Sequence, residues 1–380
     1  MFELFLVAHL WDFTHEDVGS VLDRLHGDVG VTGISLWVAA PGTVQLRANH
    51  LNPRVFRTRG GVFFQPTDRS FSSTRCQPIV SSWVTMGNPL ASISRACAGS
   101  GLRLRAIVSA GATGRMAERY PEFACRNVLG DESRTRLCLS NAEAQSFLRA
   151  MVLDLSTNFG VRALTLTDFN IRWSDADDVS TATPIGPVER SLLAICFCDS
   201  CVYQSHDAGI DVEAARSQVG RAVNEALEHG PGEWTRVEDF VGNHESLAEH
   251  CRRQVETLNS LLRRLRETCG GDLLLVRDGN AVQAGAANGL DVSIPSAVVT
   301  RVADPVDLSA KIPPQAKRNE LQLSAISIIG PAGSQLVSIL PEAAKAGFAA
   351  VEVDHYGVLS ETALTTLKQA IRFARRSAAE

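Results

Sequence analysis

The sequence predicts a single α/β barrel, a (β/α)8 TIM barrel with extended βα loops. Three observations predict it. Short apolar runs alternate with helical periodicity close to eight times along the 380 residues. The runs are apolar on both faces, as parallel strands covered by helices must be. No linker or composition shift divides the chain, so one domain over residues 1–380 is expected, with long loops at 110–141 and 169–210. A doubly wound open sheet is the runner-up. Its dinucleotide and P-loop versions lack support, because no GxGxxG follows the first strand and no GxxxxGK[ST] occurs.

The elements follow in order. Residues 2–8 (FELFLVA) form a buried first strand ending at His9, and 15–27 form a helix through Val18, Val21, Leu22 and Leu25. Residues 33–39 are the second strand. The stretch 41–78 is polar, broken by glycine and proline, and shows no period. Helix 87–99 leads to the third strand, 102–109, and a loop fills 110–140. Asn141 caps helix 141–158, which carries Leu148, Met151, Val152 and Leu155 on one face. Strand 161–167 ends at Asp168. Helices 210–228 and 245–268 precede strand 271–276, which ends at Arg277-Asp278. Strands near 290–298 and 322–328, helix 333–345, strand 348–353 and helix 360–376 complete the count.

Composition narrows the function. Apolar residues make up 45% and charged residues 21%, which supports a folded globular chain. The net charge of −5 opposes a general nucleic-acid surface. No apolar run is long enough to span a membrane. The start lacks a basic n-region and a small-residue cleavage site, so a cytoplasmic location is expected. Nothing in the sequence opposes a homo-oligomer.

In a parallel barrel the chemistry sits where strands end and loops begin. His9, Trp11 and Asp12 follow the first strand, and Trp37 lies near the end of the second. Asp168 and Asn170 follow the fourth, and Arg277 and Asp278 the fifth. Glu352, Asp354, His355 and Tyr356 belong to the last. Carboxylates, imidazoles and aromatic rings at one mouth suit a polyhydroxylated ligand. Two carboxylates across such a pocket can divide acid and base work, provided one stays protonated.

The nine cysteines are odd in number and unevenly spaced, which opposes a disulfide scaffold. Cys196, Cys198 and Cys201 lie within six residues and offer three thiolates on one turn. A structural zinc needs a fourth ligand. Cys138 is the leading candidate, with Cys125, His206 and the His250-Cys251 pair as alternatives.

The order Arg134-Thr-Arg-Leu-Cys138-Leu-Ser-Asn141, Thr167-Asp168, then Cys196-Phe-Cys198-Asp-Ser-Cys201 resembles the zinc-containing β-galactosidases of glycoside hydrolase family 42. The resemblance implies a structural Zn2+ on Cys138, Cys196, Cys198 and Cys201. It places Asp168 where that family has its acid/base glutamate, and Thr167 where it has the preceding asparagine. The family's nucleophile ends the seventh strand, where this chain reads Ile329-Gly330-Pro331. The expected activity is that of a glycoside hydrolase-like enzyme on a carbohydrate. Asp168 would be its acid/base, partnered by Asp354, Asp278 or Glu352. His9, Trp11, Asp12, Trp37, Asn170, Arg277, His355 and Tyr356 would bind the sugar. An inactive carbohydrate-binding barrel and a lyase or isomerase acting on a sugar derivative are the alternatives.

Overall fold

Parallel pairing runs around the molecule and returns to its start. The strands are β1 (Glu3–His9), β2 (Gly33–Leu46), β3 (Val55–Val62), β4 (Arg103–Ser109), β5 (Ala124–Arg126), β6 (Glu132–Leu137), β7 (Ala163–Thr167), β8 (Asp272–Asp278), β9 (Ala297–Val302), β10 (Asn319–Ser324) and β11 (Ala350–Asp354). The parallel order is β1-β2-β4-β7-β8-β9-β10-β11, and β11 pairs with β1. Leu4 lies opposite Val351 and Leu6 opposite Val353, so the eight-stranded barrel is closed as expected. The computed structural model describes residues 3–14, 17–48, 54–84, 87–173, 185–278, 289–302, 319–324, 339–343 and 345–377.

Helices Pro89–Ser100, Ala142–Asn158, Val212–His229, Glu245–Thr268 and Glu361–Ser377 fall where periodicity puts them. Asn141 caps the second of these by accepting from Glu143 N at 2.9 Å. The helix layer packs on one side of each strand. Leu4, Leu6, Leu36, Val108, Leu164, Leu166, Leu273, Leu323, Val351 and Val353 all belong to the large helix-facing core. Strand side chains alternate, so their neighbours point into the barrel.

That interior is divided. On β7, β8 and β9 it is apolar, built from Ala163, Leu274, Val276, Ala297 and Val299. Across from them it is ionic. Arg105 on β4 is 3% exposed and reaches Glu320 on β10, Glu352 on β11 and the ring of Phe5 on β1. Ser35 Oγ on β2 donates to Glu352 Oε1 at 2.7 Å, and Gln322 Nε2 donates to its other oxygen at 3.2 Å.

The stretch 110–140 is not a plain loop but holds the antiparallel β5–β6 hairpin, and three further expectations change. The polar stretch 41–78 is not formless: β2 runs on through Leu46 and pairs antiparallel with β3, outside the barrel. Its pattern misleads because Gln45 is buried while Val44 and Leu46 are exposed. The sixth barrel strand is Ala297–Val302 and does not begin at 290; Asp291 instead accepts from Ser293 N at 3.0 Å in a turn. The seventh is Asn319–Ser324 and not 322–328, of which 325–328 lie outside the described residues. Glu320 and Gln322 face inward there, so a buried strand reads as polar.

Replacing Arg105 by Met would leave two buried carboxylates without their counter-ion. The expected loss is about 3–5 kcal/mol in urea unfolding. A loss below about 1 kcal/mol would show that the ion cluster does not hold the barrel.

Candidate functional site

Two groups of side chains stand at the C-terminal ends of the barrel strands, and a third flanks them. The first centres on Asp168, the residue after β7. Its φ of +52° is left-handed, a region that non-glycine residues rarely adopt and that aspartate tolerates better than most. Ser109 Oγ donates to its Oδ2 at 2.7 Å and Thr167 Oγ1 at 3.0 Å. Arg136 Nη2 donates to its Oδ1 at 2.9 Å, while Arg136 Nη1 donates to Asn170 Oδ1 at 3.1 Å. Burial works against the charge on Asp168. The Arg136 guanidinium and the three hydrogen bonds outweigh it and hold the carboxyl below its ordinary range. The role of acid expected for Asp168 needs its carboxyl protonated. Its neighbour is a cation, so at neutral pH it is an anion.

Asp354 ends β11 and points inward by strand alternation, two residues beyond Glu352. Burial raises it to about 6, opposed by Arg301 and reinforced by the charge of Glu352. Glu352 itself lies deeper, fully buried with Arg105, Ser35 and Gln322 on its oxygens. Arg277 and Asp278 end β8, and their side chains lie outside the described residues.

The second group gathers around His9, Asp12 and His355. Asp12 Oδ2 accepts from His9 N at 2.8 Å and Oδ1 from Gln45 Nε2 at 3.1 Å. Gln45 is itself fixed by Trp11 Nε1, which donates to Oε1 at 2.8 Å. The β2–β3 hairpin thus covers this corner, with Arg47 over the Phe56 ring. Burial lifts Asp12 to about 7 and pushes His355 down to about 3; burial and His355 together push His9 down. Both imidazoles are therefore neutral.

One ligand atom from each of His9, Asp12 and His355 lies within 4.8 Å of the others, a spacing a metal ion could use. The hydrogen bonds oppose that use. Gly357 N donates to His355 Nδ1 at 3.2 Å, which leaves the ring proton on Nε2. Nε2 faces Asp12 Oδ2 at 3.4 Å, too poorly aligned to bond. A ligand histidine shows the metal a bare nitrogen and donates with the other. Here that polarity is reversed. His355 Nε2 and His9 Nδ1 are left buried with no hydrogen-bond partner among the described residues.

The aromatic residues differ in what they offer. Trp11 is sandwiched between His9 at 4.0 Å and Phe56 at 4.5 Å, so neither face is free for a sugar. Tyr356 is buried against Phe13 at 5.5 Å and interacts with Arg24, which makes it a packing residue and not a ligand contact. Trp37 stays half-buried beside His9, and Trp83, which the sequence reading passed over, is half-buried against Trp11. Arg136, Gln45 and Arg47 were also passed over. Only the position of Arg136, two residues before Cys138, offered a signal.

The third group is the cysteine cluster. Cys138, Cys196, Cys198 and Cys201 are buried, and their sulfurs lie within 4.8 Å of one another. Cys138 Sγ is 3.6 Å from Cys201 Sγ and 3.9 Å from Cys196 Sγ. Zn–S bonds of about 2.3 Å in a tetrahedron demand sulfur–sulfur edges of about 3.8 Å, so the set fits that ion. Ser140 N donates to Cys138 Sγ and Arg126 N to Cys196 Sγ, each at 3.4 Å, as suits thiolates. Cys125 touches Cys138 and Cys196 without joining the four. His250 faces the carbonyl of Cys196 at 3.1 Å and Ser205 Oγ at 2.7 Å, so it braces the turn.

No protein-family model matches the sequence, and no curated protein matches it. Solved structures do match the fold. A β-galactosidase from the psychrophilic Marinomonas ef1 superimposes with a TM-score of 0.56 at 8% identity, covering 97% of this chain and 59% of that one. A GH42 β-galactosidase from G. stearothermophilus gives 0.55 at 10% identity, over 99% and 57%. The catalytic domain of a Paenibacillus polymyxa β-amylase gives 0.55 at 11% identity, over 97% of both chains. The chain spans about three fifths of the length of these β-galactosidases. At such identities the likeness is one of fold, the TIM barrel found in these glycoside hydrolases. No helix among the described residues is long and apolar enough to cross a membrane.

The environment of Asp12 gives a signed prediction. Its proton is held more tightly in the folded chain, at about 7, than at the ordinary value of 3.8. That contribution to stability is complete below the unfolded pKa and is lost as pH rises through the folded one. Wild-type stability relative to Asp12→Asn should therefore fall as pH rises from about 4 to about 7, then level off. Urea unfolding across that range measures it; a flat or rising difference contradicts the assignment.

Proposed function

We propose that the chain is a glycoside hydrolase-like enzyme whose two working carboxylates are Asp168 and Asp354. The observation that carries the proposal is their opposed surroundings, with the Arg136 guanidinium 2.9 Å from Asp168 and none paired with Asp354 in the same way among the described residues. Asp168 is held anionic by Arg136, and Asp354 is raised to about 6. Paired groups pushed apart in this way divide acid from base work. The roles differ from the sequence expectation: Asp354 donates the proton to the leaving group, and Asp168 is the anion that acts on the sugar or its water. Which of these the anion does sets the stereochemical outcome. His9 Nδ1 and His355 Nε2 supply buried hydrogen-bonding capacity for ligand hydroxyls. Trp37 and Trp83 supply partly open rings. Glu352 serves the barrel interior and not the chemistry. We assign one structural zinc to Cys138, Cys196, Cys198 and Cys201, with no place in the reaction.

A second reading is a carbohydrate-binding barrel without activity. It is favoured by the lack of any carboxylate in the sequence between Ser324 and Glu342, after the seventh barrel strand.

A panel of aryl glycosides separates these. Asp354→Asn should lower kcat/KM by about 10²–10⁴-fold, most for poor leaving groups that need protonation. Asp168→Asn should lower it evenly across leaving groups. The wild-type rate should fall as pH rises past about 6, because the acid must stay protonated. Evenness for Asp354 with leaving-group dependence for Asp168 would reverse the roles. Sugar binding without turnover at any pH would favour the second reading. Elemental analysis should find about one zinc per chain; a ratio near zero with four freely titratable thiols would remove the metal.

A further inference from the structure

The cysteine cluster and the Asp168 group are joined by short, direct paths on both sides. On one side, β6 ends at Leu137, so Arg136 lies two residues before Cys138. That hairpin is tied to the cluster repeatedly. Cys138 N donates to Phe123 O at 2.8 Å, Phe197 N donates to Arg126 O at 2.7 Å, and Arg126 N reaches Cys196 Sγ. Arg126 Nη1 also bonds Asp199, next to Cys198, at 3.0 Å. On the other side, the segment after Asp168 forms a bridge between Arg172 and Ile195, the residue before Cys196. Trp173 N donates to Ala194 O at 2.7 Å. Asn170, in that segment, accepts from Arg136 and completes the circuit.

Barrel strands do not hold Arg136 in place by themselves. Among the described residues, β5 and β6 pair only with each other, apart from the main sheet. Leu137 N donating to Gly111 O at 3.0 Å is the main-chain bond between this hairpin's end and the loop after β4. A two-stranded hairpin is marginal alone and needs packing or a staple. Here Ala124, Cys125 and Leu137 supply packing in the large core, and the four cysteines add the staple at the hairpin's end.

We propose that the four-cysteine cluster is a positioning device for the candidate catalytic carboxylate, fixing both the hairpin that delivers Arg136 and the loop that carries Asn170 to Asp168. Arg136 is thus a positioning residue. The groups facing the Asp168 carboxylate are Arg136 from β6, Ser109 from β4 and Thr167 from its own strand. Only the first is charged, and only the first depends on the hairpin. Loosening the staple removes the cation and leaves the two hydroxyls, so the proton affinity of Asp168 must rise. The inference takes its functional meaning from the proposed role of Asp168, but its readout is independent of turnover.

The test follows the Asp168 carboxyl by carbon NMR in the full-length chain. Four samples are compared: zinc-loaded protein, protein stripped with a thiol reagent and chelator then reduced, Arg136→Gln, and a variant with one glycine inserted between Leu137 and Cys138. Stripping and insertion should each raise the proton affinity of Asp168 at least about tenfold, as Arg136→Gln does. Stripping Arg136→Gln should add no further rise, and that variant should keep its zinc. Should the stripped chain unfold by circular dichroism, the insertion variant decides, because it retains all four thiols. An unchanged Asp168 titration in a folded, stripped chain or in a folded insertion variant overturns the proposal. So does wild-type protein whose Asp168 titration ignores added zinc. Lack of glycosidase activity would count against the proposed reaction and leave this outcome untouched.

Discussion

The charge buried inside the barrel is the constraint on which the rest depends. Arg105 sits at 3% exposure between two carboxylates that are themselves fully buried. Burial opposes its charge, and Glu320 and Glu352 restore it, so it stays a cation. A pair of that kind gains little over a well-packed apolar core, but losing one partner is costly. The cluster joins β4 to β10 and β11 across the interior, and Phe5 of β1 stacks beneath the guanidinium. Glu352 lies one inward position below Asp354, and its negative charge helps to keep that carboxyl protonated.

The two carboxylates proposed to do the chemistry owe their difference to an arginine beside one and burial around the other. Arg136 touches Asp168 directly and keeps it ionised. Burial raises Asp354, Arg301 opposes the rise, and the charge of Glu352 adds to it. Asp354 stands on a barrel strand, while Arg136 is carried on a hairpin outside the barrel. A site assembled from one rigid and one stapled element can keep its scaffold while its chemistry is tuned by the staple. The His9–Asp12–His355 corner follows another rule. It is covered by Gln45 and Arg47 of the β2 extension, and its groups are neutral or nearly so.

Much of this was legible in the sequence, and the failures share a cause. β1, β4, β7, β8 and β11 read correctly because their helix-facing residues are aliphatic and their boundaries sharp. β10 was misplaced because Glu320 and Gln322 point inward, and the β2 extension was missed because Gln45 is buried while Val44 and Leu46 are exposed. Where polarity is inverted, a hydrophobic pattern misdirects. The four cysteines were found because three are local and the fourth lies three residues before the helix-capping Asn141. Arg136 was not found, because its partner lies 32 residues away and only the fold brings them together. Trp11 was named for its ring, but the sequence carries no sign that His9 and Phe56 cover both faces.

The most direct test of the central claim is a carbon NMR titration of Asp168 and Asp354 together in the unmodified chain. Asp168 should titrate below the ordinary aspartate range and Asp354 near 6, two separate events in one protein. Two ordinary titrations, or the reverse order, would contradict the division of labour on which the proposed chemistry stands.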